Sequence, residues 1–122
     1  MPETEVVFFA EDDGSVPALD WLHGLQEKVR DRFISRIERL AEHGSGLHRP
    51  EADLLRNGIY ELRVRHRRLR YRLLYFFSGR RVVLSHGLIK EGQEIPPGEI
   101  ERAIARRDEF SKDADAHIHS EG

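Results

Sequence analysis

The chain has 122 residues, the length of one domain, with 39% hydrophobic and 34% charged residues; that mixture argues against disorder. No run approaches the ~18 apolar residues that span a bilayer. The absence of cysteine rules out a disulfide framework, a thiolate zinc site and a cysteine nucleophile. A net charge of −2 conceals an asymmetry: residues 1–20 carry six acids and no Lys or Arg, while residues 56–81 carry nine arginines against one acid, Glu61. Arginine forks onto two phosphate oxygens, so the basic half predicts an anionic partner. The start has no basic n-region and only a five-residue apolar run, so it does not read as a signal peptide, and the expected compartment is the cytoplasm.

Glu5 to Ala10 reads as an opening strand. Ser15 is the expected N-cap of a first helix with Pro17 in its first turn, and Ala18, Trp21, Leu22 and Leu25 mark its apolar face. A second helix is expected from Gln26 to His43, since Val29, Phe33, Ile37, Leu40 and Ala41 recur at spacings of four and three, with Gly44 following as its C′ residue. Residues 44–51, GSGLHRPE, read as a connection. Three strands are then expected: Gly58 to Arg65, Arg70 to Phe77 and Arg81 to Lys90, joined by turns at 66–69 and 78–80. In the first, Tyr60, Leu62 and Val64 alternate with Ile59, Glu61, Arg63 and Arg65. A loop over 92–98 leads into a last helix from Glu99 to Phe110. The expected fold is α+β, with two N-terminal helices and a C-terminal helix packed on a twisted antiparallel sheet of three to four strands. Residues 1–112 form one domain in this reading, and 113–122 a flexible tail.

Three phrases carry a resemblance: Gly58-Ile-Tyr-Glu-Leu-Arg-Val-Arg65, Tyr71-Arg-Leu-Leu-Tyr-Phe-Phe77 and His86-Gly-Leu-Ile-Lys90. In that order and spacing the chain resembles the RelE/ParE toxin superfamily of type II toxin–antitoxin systems, and most closely its phage-derived HigB-like branch, over residues 5 to 110. The resemblance implies a RelE-like fold and a cytoplasmic toxin that cuts messenger RNA in the ribosome without metal. It also implies a cognate antitoxin, often of helix-turn-helix type, that holds the toxin inactive. Gyrase-inhibiting relatives share the fold and cut nothing, so a ParE-like non-nuclease or an inactive binding partner stands as the alternative.

Metal-free RNA cleavage sets three tasks: deprotonating the 2′-hydroxyl, neutralising the phosphoryl oxygens, and protonating the leaving oxygen. Arginine suits the second and histidine the first and third. A lysine joins only where neighbouring cations or burial lower its pKa. The resemblance places Arg72 at the family's phosphate-binding arginine, Arg63 and Arg65 at basic strand positions, and Lys90 at the first of two paired lysines. Position 91 holds Glu where the second lysine is expected. Arg72, Lys90, His86 and Arg63 are the catalytic candidates, and Arg65, Arg67, Arg68 and Arg70 the RNA-binding ones. Each has a structural counterpart: Arg72 paired with Glu61 across the sheet, Arg63 and Arg65 on a wet outer face, His86 as a hydrogen-bonded core residue.

His117-Ile-His119 has ligand-like spacing, but it stands in a polar tail and is read as no metal site. No P-loop, dinucleotide turn or Gly-x-Ser-x-Gly elbow is present, so no cofactor is expected. The antitoxin has two docking modes open to it. An acidic segment can lie over Arg63, Arg65 and Arg72, or a compact domain can pack on the helix pair near Trp21 and Leu22, the mode slightly preferred.

Overall fold

The computed structural model describes residues 4–119. In chain order the elements are β1 (Glu5–Phe8), α1 (Pro17–His23), α2 (Glu27–His43), β2 (Ala52–Arg56), β3 (Ile59–His66), β4 (Leu69–Ser78), β5 (Arg81–Lys90) and α3 (Pro97–Lys112), with short 3-10 turns at Gly44–Gly46 and Asp115–His117. The strands form one sheet in the order β1-β5-β4-β3-β2. β2 to β5 are an antiparallel meander, whereas β1 runs parallel to β5, with Glu5 opposite Arg81 and Phe8 opposite Leu84. The sheet is therefore mixed and five-stranded rather than antiparallel with three to four strands. The parallel pair has a physical cause: between β1 and the meander the chain makes two helices, and a long helical connection lets a strand return alongside in parallel.

β2 follows the expected connection at 44–51 and occupies residues to which the sequence assigned no element. The signal for it is Asn57-Gly58, whose positive φ values of 51° and 77° build a two-residue hairpin loop, with Arg56 opposite Ile59. The turn at 66–69 reaches the same result without glycine: Arg67 takes φ 59°, and the strands stay paired up to His66 opposite Leu69. At the start of α1, Val16 and not Ser15 is the N-cap and no side chain caps it, although Pro17 does open the helix.

Helices cover both faces of the sheet. On one, Leu22 of α1 with Val29, Phe33 and Leu40 of α2 meet Leu62, Val64, Tyr71, Leu73, Tyr75 and Leu84. On the other, Ile100, Ala103 and Phe110 of α3 meet Val7, Phe9, Ile59, Leu74, Phe76 and Val83. One close approach depends on glycine. The indole of Trp21 lies so tightly over Gly87 that a Cβ there would sit 2.0 Å from its ring carbons. Trp21 also meets Phe33 edge-on at 5.4 Å, so the Trp is packing material for α1.

Residues 113–119 make specific contacts with the start of the chain. Phe9 bridges Ile118, the Ala10 amide donates to the His117 carbonyl (2.8 Å), and the buried His117 ring stacks on Phe9 at 4.9 Å. The apolar Ile118 and the flat imidazole supply what a polar composition hides: a few contacts good enough to hold a short edge. The remainder of the expected tail, 120–122, lies outside the described residues. No helix among the described residues is long and apolar enough to cross a membrane.

Candidate functional site

The hairpin registers assemble the site, because side chains of directly opposed residues share a sheet face. On the α3 face, one row across β3, β4 and β5 is Arg65, Arg70 and Lys90. The next row is Arg63, Arg72 and Leu88, and the third is Glu61, Leu74 and His86. α3 starts only at Pro97 and covers the third row and beyond, so the first row and Arg63 form an open basic end of a face that is otherwise core, with Arg72 buried behind them.

Beyond the end of β2, residues 63–66 of β3 are an edge, and α2 supplies the covering. Arg36 donates through Nε to the Arg63 carbonyl (3.1 Å) and Arg32 to the Arg65 carbonyl. The result is a cleft of about 290 Å³ lined by Arg32, Arg36, Arg63, Arg65, Arg70, Arg72 and Pro50. Sequence reasoning placed Arg32 and Arg36 on a polar helix face and missed this role. Their i, i+4 spacing, which puts them on one edge of α2, was the available signal.

Arg72 and Glu61 form the centre. Both are buried, at 3% exposure each, and Arg72 Nε lies 3.2 Å from Glu61 Oε1, while the Arg72 Nη1 donates to the Tyr71 carbonyl at 3.0 Å. Arg63 Nε approaches Glu61 Oε2 at 3.6 Å. Neither approach is a hydrogen bond: Glu61 Oε1, Arg63 Nε and Arg72 Nε are all buried without a hydrogen-bond partner among the described residues. Burial raises the Glu61 carboxyl above its ordinary pKa, against the pull of Arg72 and Arg63, and lowers Arg72 against the pull of Glu61. Desolvation outweighs mutual attraction on both sides of the pair. The pairing weighed as the structural counterpart for Arg72 is thus present, and it is left under-bonded.

Lys90 closes the basic row, and its side chain makes no hydrogen bond or ion pair among the described residues. Partial burial is the first cause of its lowered pKa; Arg72, Arg70 and Arg63 add to it and Glu61 opposes. Arg65, Arg67 and Arg68 are exposed, the last two on the β3–β4 turn; Arg68 lines a shallow cleft with Arg70, Ile89, Lys90 and Glu91, whereas Arg67 lines neither that cleft nor the arginine cleft. Arg70 reaches the Glu91 carbonyl at 3.1 Å, so Glu91 contributes its backbone to the site while its side chain stays in solvent.

His86 shares the sheet face of Lys90, as the four-residue spacing predicts, but it is enclosed beneath α3. Arg106 Nη1 donates to its Nδ1 (2.9 Å), with the Ser85 hydroxyl at 2.8 Å from the same nitrogen. Arginine cannot accept, so the ring proton sits on Nε2 and is donated to Glu99 Oε1 at 3.0 Å. Burial, with Arg106 beside it, lowers the His86 pKa to about 4, against the pull of Glu99. The imidazole is neutral, bonded through both nitrogens and 6% exposed, and it does not open onto the basic rows. Among the described residues no three His, Asp or Glu are grouped to hold a metal ion.

A second cleft of about 290 Å³ lies on the other side of Glu61, between β2, the 91–96 loop and the start of α3; Asp53, Glu61 and Lys90 line it together with Leu55, Ile95 and Ile100. The sequence reading contained no candidate from this cleft except Lys90. No curated protein matches the chain. Residues 20–108 match the family described as phage-derived protein Gp49-like (DUF891), a span that contains both basic rows, α2 and most of α3. The chain belongs to this Gp49-like family, a RelE/ParE-like family of toxin–antitoxin systems.

Proposed function

We propose that the chain is the toxin of a toxin–antitoxin pair and that it cleaves messenger RNA on the ribosome by metal-independent chemistry. The observation that supports this best is the convergence of Arg63, Arg65, Arg70 and Lys90 on one uncovered sheet end above the buried Arg72, where the four arginines line, with Arg32, Arg36 and Pro50, a cleft that has no carboxylate among its lining residues. Lys90 in its free-amine form takes the proton of a 2′-hydroxyl. The oxygen attacks the adjacent phosphorus, the bond to the 5′-oxygen breaks, and that oxygen takes a proton from the Lys90 ammonium so formed or from water, leaving a 2′,3′-cyclic phosphate and a 5′-hydroxyl. Arg63, Arg65 and Arg70 neutralise the phosphoryl oxygens, and Arg72 adds field from the floor.

One observation favours the ParE-like alternative of gyrase binding without cleavage. His86 is committed to Arg106 and Glu99, which leaves Lys90 as the one proton carrier of the proposed set facing the basic rows. Induction in bacteria followed by mapping of mRNA 5′ ends separates the two. Cleavage predicts new 5′-hydroxyl ends within translated messages, lost in Lys90→Ala at unchanged melting temperature. Growth arrest without new ends, or accompanied by a DNA-damage response, rejects cleavage in favour of the alternative.

Family membership implies an antitoxin partner. Trp21 and Leu22 are spent on packing against α2 and the sheet, which removes the main attraction of the helix-pair mode slightly preferred from sequence. The open arginine cleft makes an acidic antitoxin segment over Arg63, Arg65 and Arg72 the better-supported mode. Its affinity falls by orders of magnitude between low and high salt; a salt-independent complex returns the antitoxin to the helix face.

A further inference from the structure

Asp53 and Glu61 are directly opposite each other on β2 and β3, on the sheet face covered by α3. Two carboxylates in that register repel, and the arrangement costs stability unless donors lie between or around them. Their present partners satisfy them incompletely. Arg49 pairs with Asp53 from the outside at 2.8 Å, and Glu61 Oε1, 3.2 Å from Arg72, has no hydrogen bond at all. Both carboxylates line the second cleft, together with the apolar Leu55 of β2, Ile95 of the 91–96 loop and Ile100 of α3. The polar edge offers acceptors at Asp53 and Glu61 with the cations Lys90, Arg49 and Arg56 beside them, and with the apolar residues it suits a flat ring that carries adjacent donors next to an acceptor.

Two other occupants fit less well. A divalent cation would meet Lys90, Arg49 and Arg56, which also line the cleft, and Arg72 behind Glu61. A long ligand exceeds a volume of about 290 Å³, at the lower end of the range for small-molecule sites. A single nucleobase fits in size. Among the four bases, guanine alone presents two adjacent N–H donors on its Watson–Crick edge, N1–H and the N2 amino group, matching the two oxygens of a carboxylate. Adenine and cytosine present one amino group there, and uracil presents one N–H between two carbonyls, which the carboxylates repel. The cleft adjoins the arginine cleft directly: Arg72 pairs with Glu61, and Lys90 stands opposite Arg70 on adjacent strands, about 5 Å apart. That is within the span of one nucleotide.

We propose that the cleft between β2 and the start of α3 is a nucleobase pocket that selects guanine, with Asp53 as its reading residue, next to the phosphate-binding arginines. This rests on the RNA reading above and adds a base preference to it. RNA-binding proteins read unstacked single-stranded bases on their Watson–Crick edges, and this pocket offers the acceptors for one such edge.

The test uses the full chain and 5′-labelled 2′-O-methyl pentaribonucleotides, which lack the attacking hydroxyl and stay intact: UUGUU, UUAUU, UUCUU and UUUUU, titrated by fluorescence anisotropy. UUGUU is expected to bind about tenfold tighter than UUUUU. Asp53→Asn is expected to reduce that ratio to about twofold or less, chiefly by weakening UUGUU. Arg65→Ala weakens all four alike. Methyl resonances of Ile95 and Ile100 shift with UUGUU and not with UUUUU. Equal, Arg65-dependent affinity for all four oligonucleotides overturns the base pocket and leaves the RNA reading standing. A preference for adenine or cytosine, or a guanine preference that survives Asp53→Asn, overturns the assignment of guanine to Asp53. No binding of any oligonucleotide by the folded protein overturns the pocket and the RNA reading together.

Discussion

Two buried polar clusters flank Leu74 on the same sheet face, and they are built on opposite terms. Around His86, each ring nitrogen has a partner, and Arg106 continues the network to Glu11 at 2.8 Å and lies over the Phe9 ring at 5.7 Å. Around Glu61, three buried polar atoms lack hydrogen bonds although charges of opposite sign lie within 4 Å. The first cluster joins α3, β5 and the segment that follows β1, and its hydrogen-bonding capacity is spent on doing so. The second keeps capacity in reserve between two open clefts. Satisfied networks rigidify a fold, whereas buried groups left under-bonded mark places where something else is to bind or react. A carboxylate or imidazole in a strand motif does not announce which of the two it will join.

The largest effect expected from breaking this contrast is at Glu61. Glu61→Ala leaves the Arg72 charge buried without its carboxylate and should cost about 3–5 kcal/mol in chemical denaturation. Replacing both, Glu61→Leu with Arg72→Met, should be neutral or stabilising by about 1–4 kcal/mol and should still abolish growth arrest on induction. A Glu61→Ala variant as stable as the parent would show that the pair does not hold the charge. The same reasoning makes Arg72→Ala a poor probe of function by itself, because it strands Glu61.

The His86 cluster predicts a smaller effect with a defined pH window. Its folded pKa is about 4 against an ordinary 6.5, so the unfolded chain binds the proton more readily. Stability from this group is therefore present above pH 6.5 and is lost as pH falls from there towards 4. About 2 kcal/mol of it should disappear between pH 7 and pH 5, and His86→Gln should flatten that part of the curve in urea titrations. An unchanged pH dependence in the variant would mean that the imidazole titrates freely in the fold. The smallest effect sharpens the contrast from outside both clusters. Arg65→Ala should leave stability within about 0.5 kcal/mol, yet lower the salt slope of ribosome binding by about one. An unaltered slope would remove Arg65 from the phosphate contacts.

The helices and the three long strands were legible because their apolar spacing is strong over many residues: Val29, Phe33, Ile37 and Leu40 in α2, and the continuous Tyr71 to Phe77 in β4. β2 was not, since Ala-Asp-Leu-Leu-Arg is too short to show a period and its hairpin signal, Asn57-Gly58, stands next to the more conspicuous Tyr-Glu-Leu-Arg phrase. The arginine-rich half of the site was visible as composition, and its alternation on β3 assigned the correct face to Arg63 and Arg65.

By itself, then, the sequence determined what depends on neighbours along the chain: α2 and α3 from periodicity, the β3 to β5 meander from alternation and turns, and the side of β3 that carries charge. The tertiary structure decided whatever depends on residues far apart in the chain. It paired β1 with β5, ran the tail along β1, brought Arg32 and Arg36 to the edge of β3, opposed Asp53 to Glu61 and enclosed His86 with Glu99 and Arg106. The reason is that burial and hydrogen-bond satisfaction are properties of a packed environment. Glu61 and His86 acquire their shifted pKa values only when distant strands and helices displace the water around them.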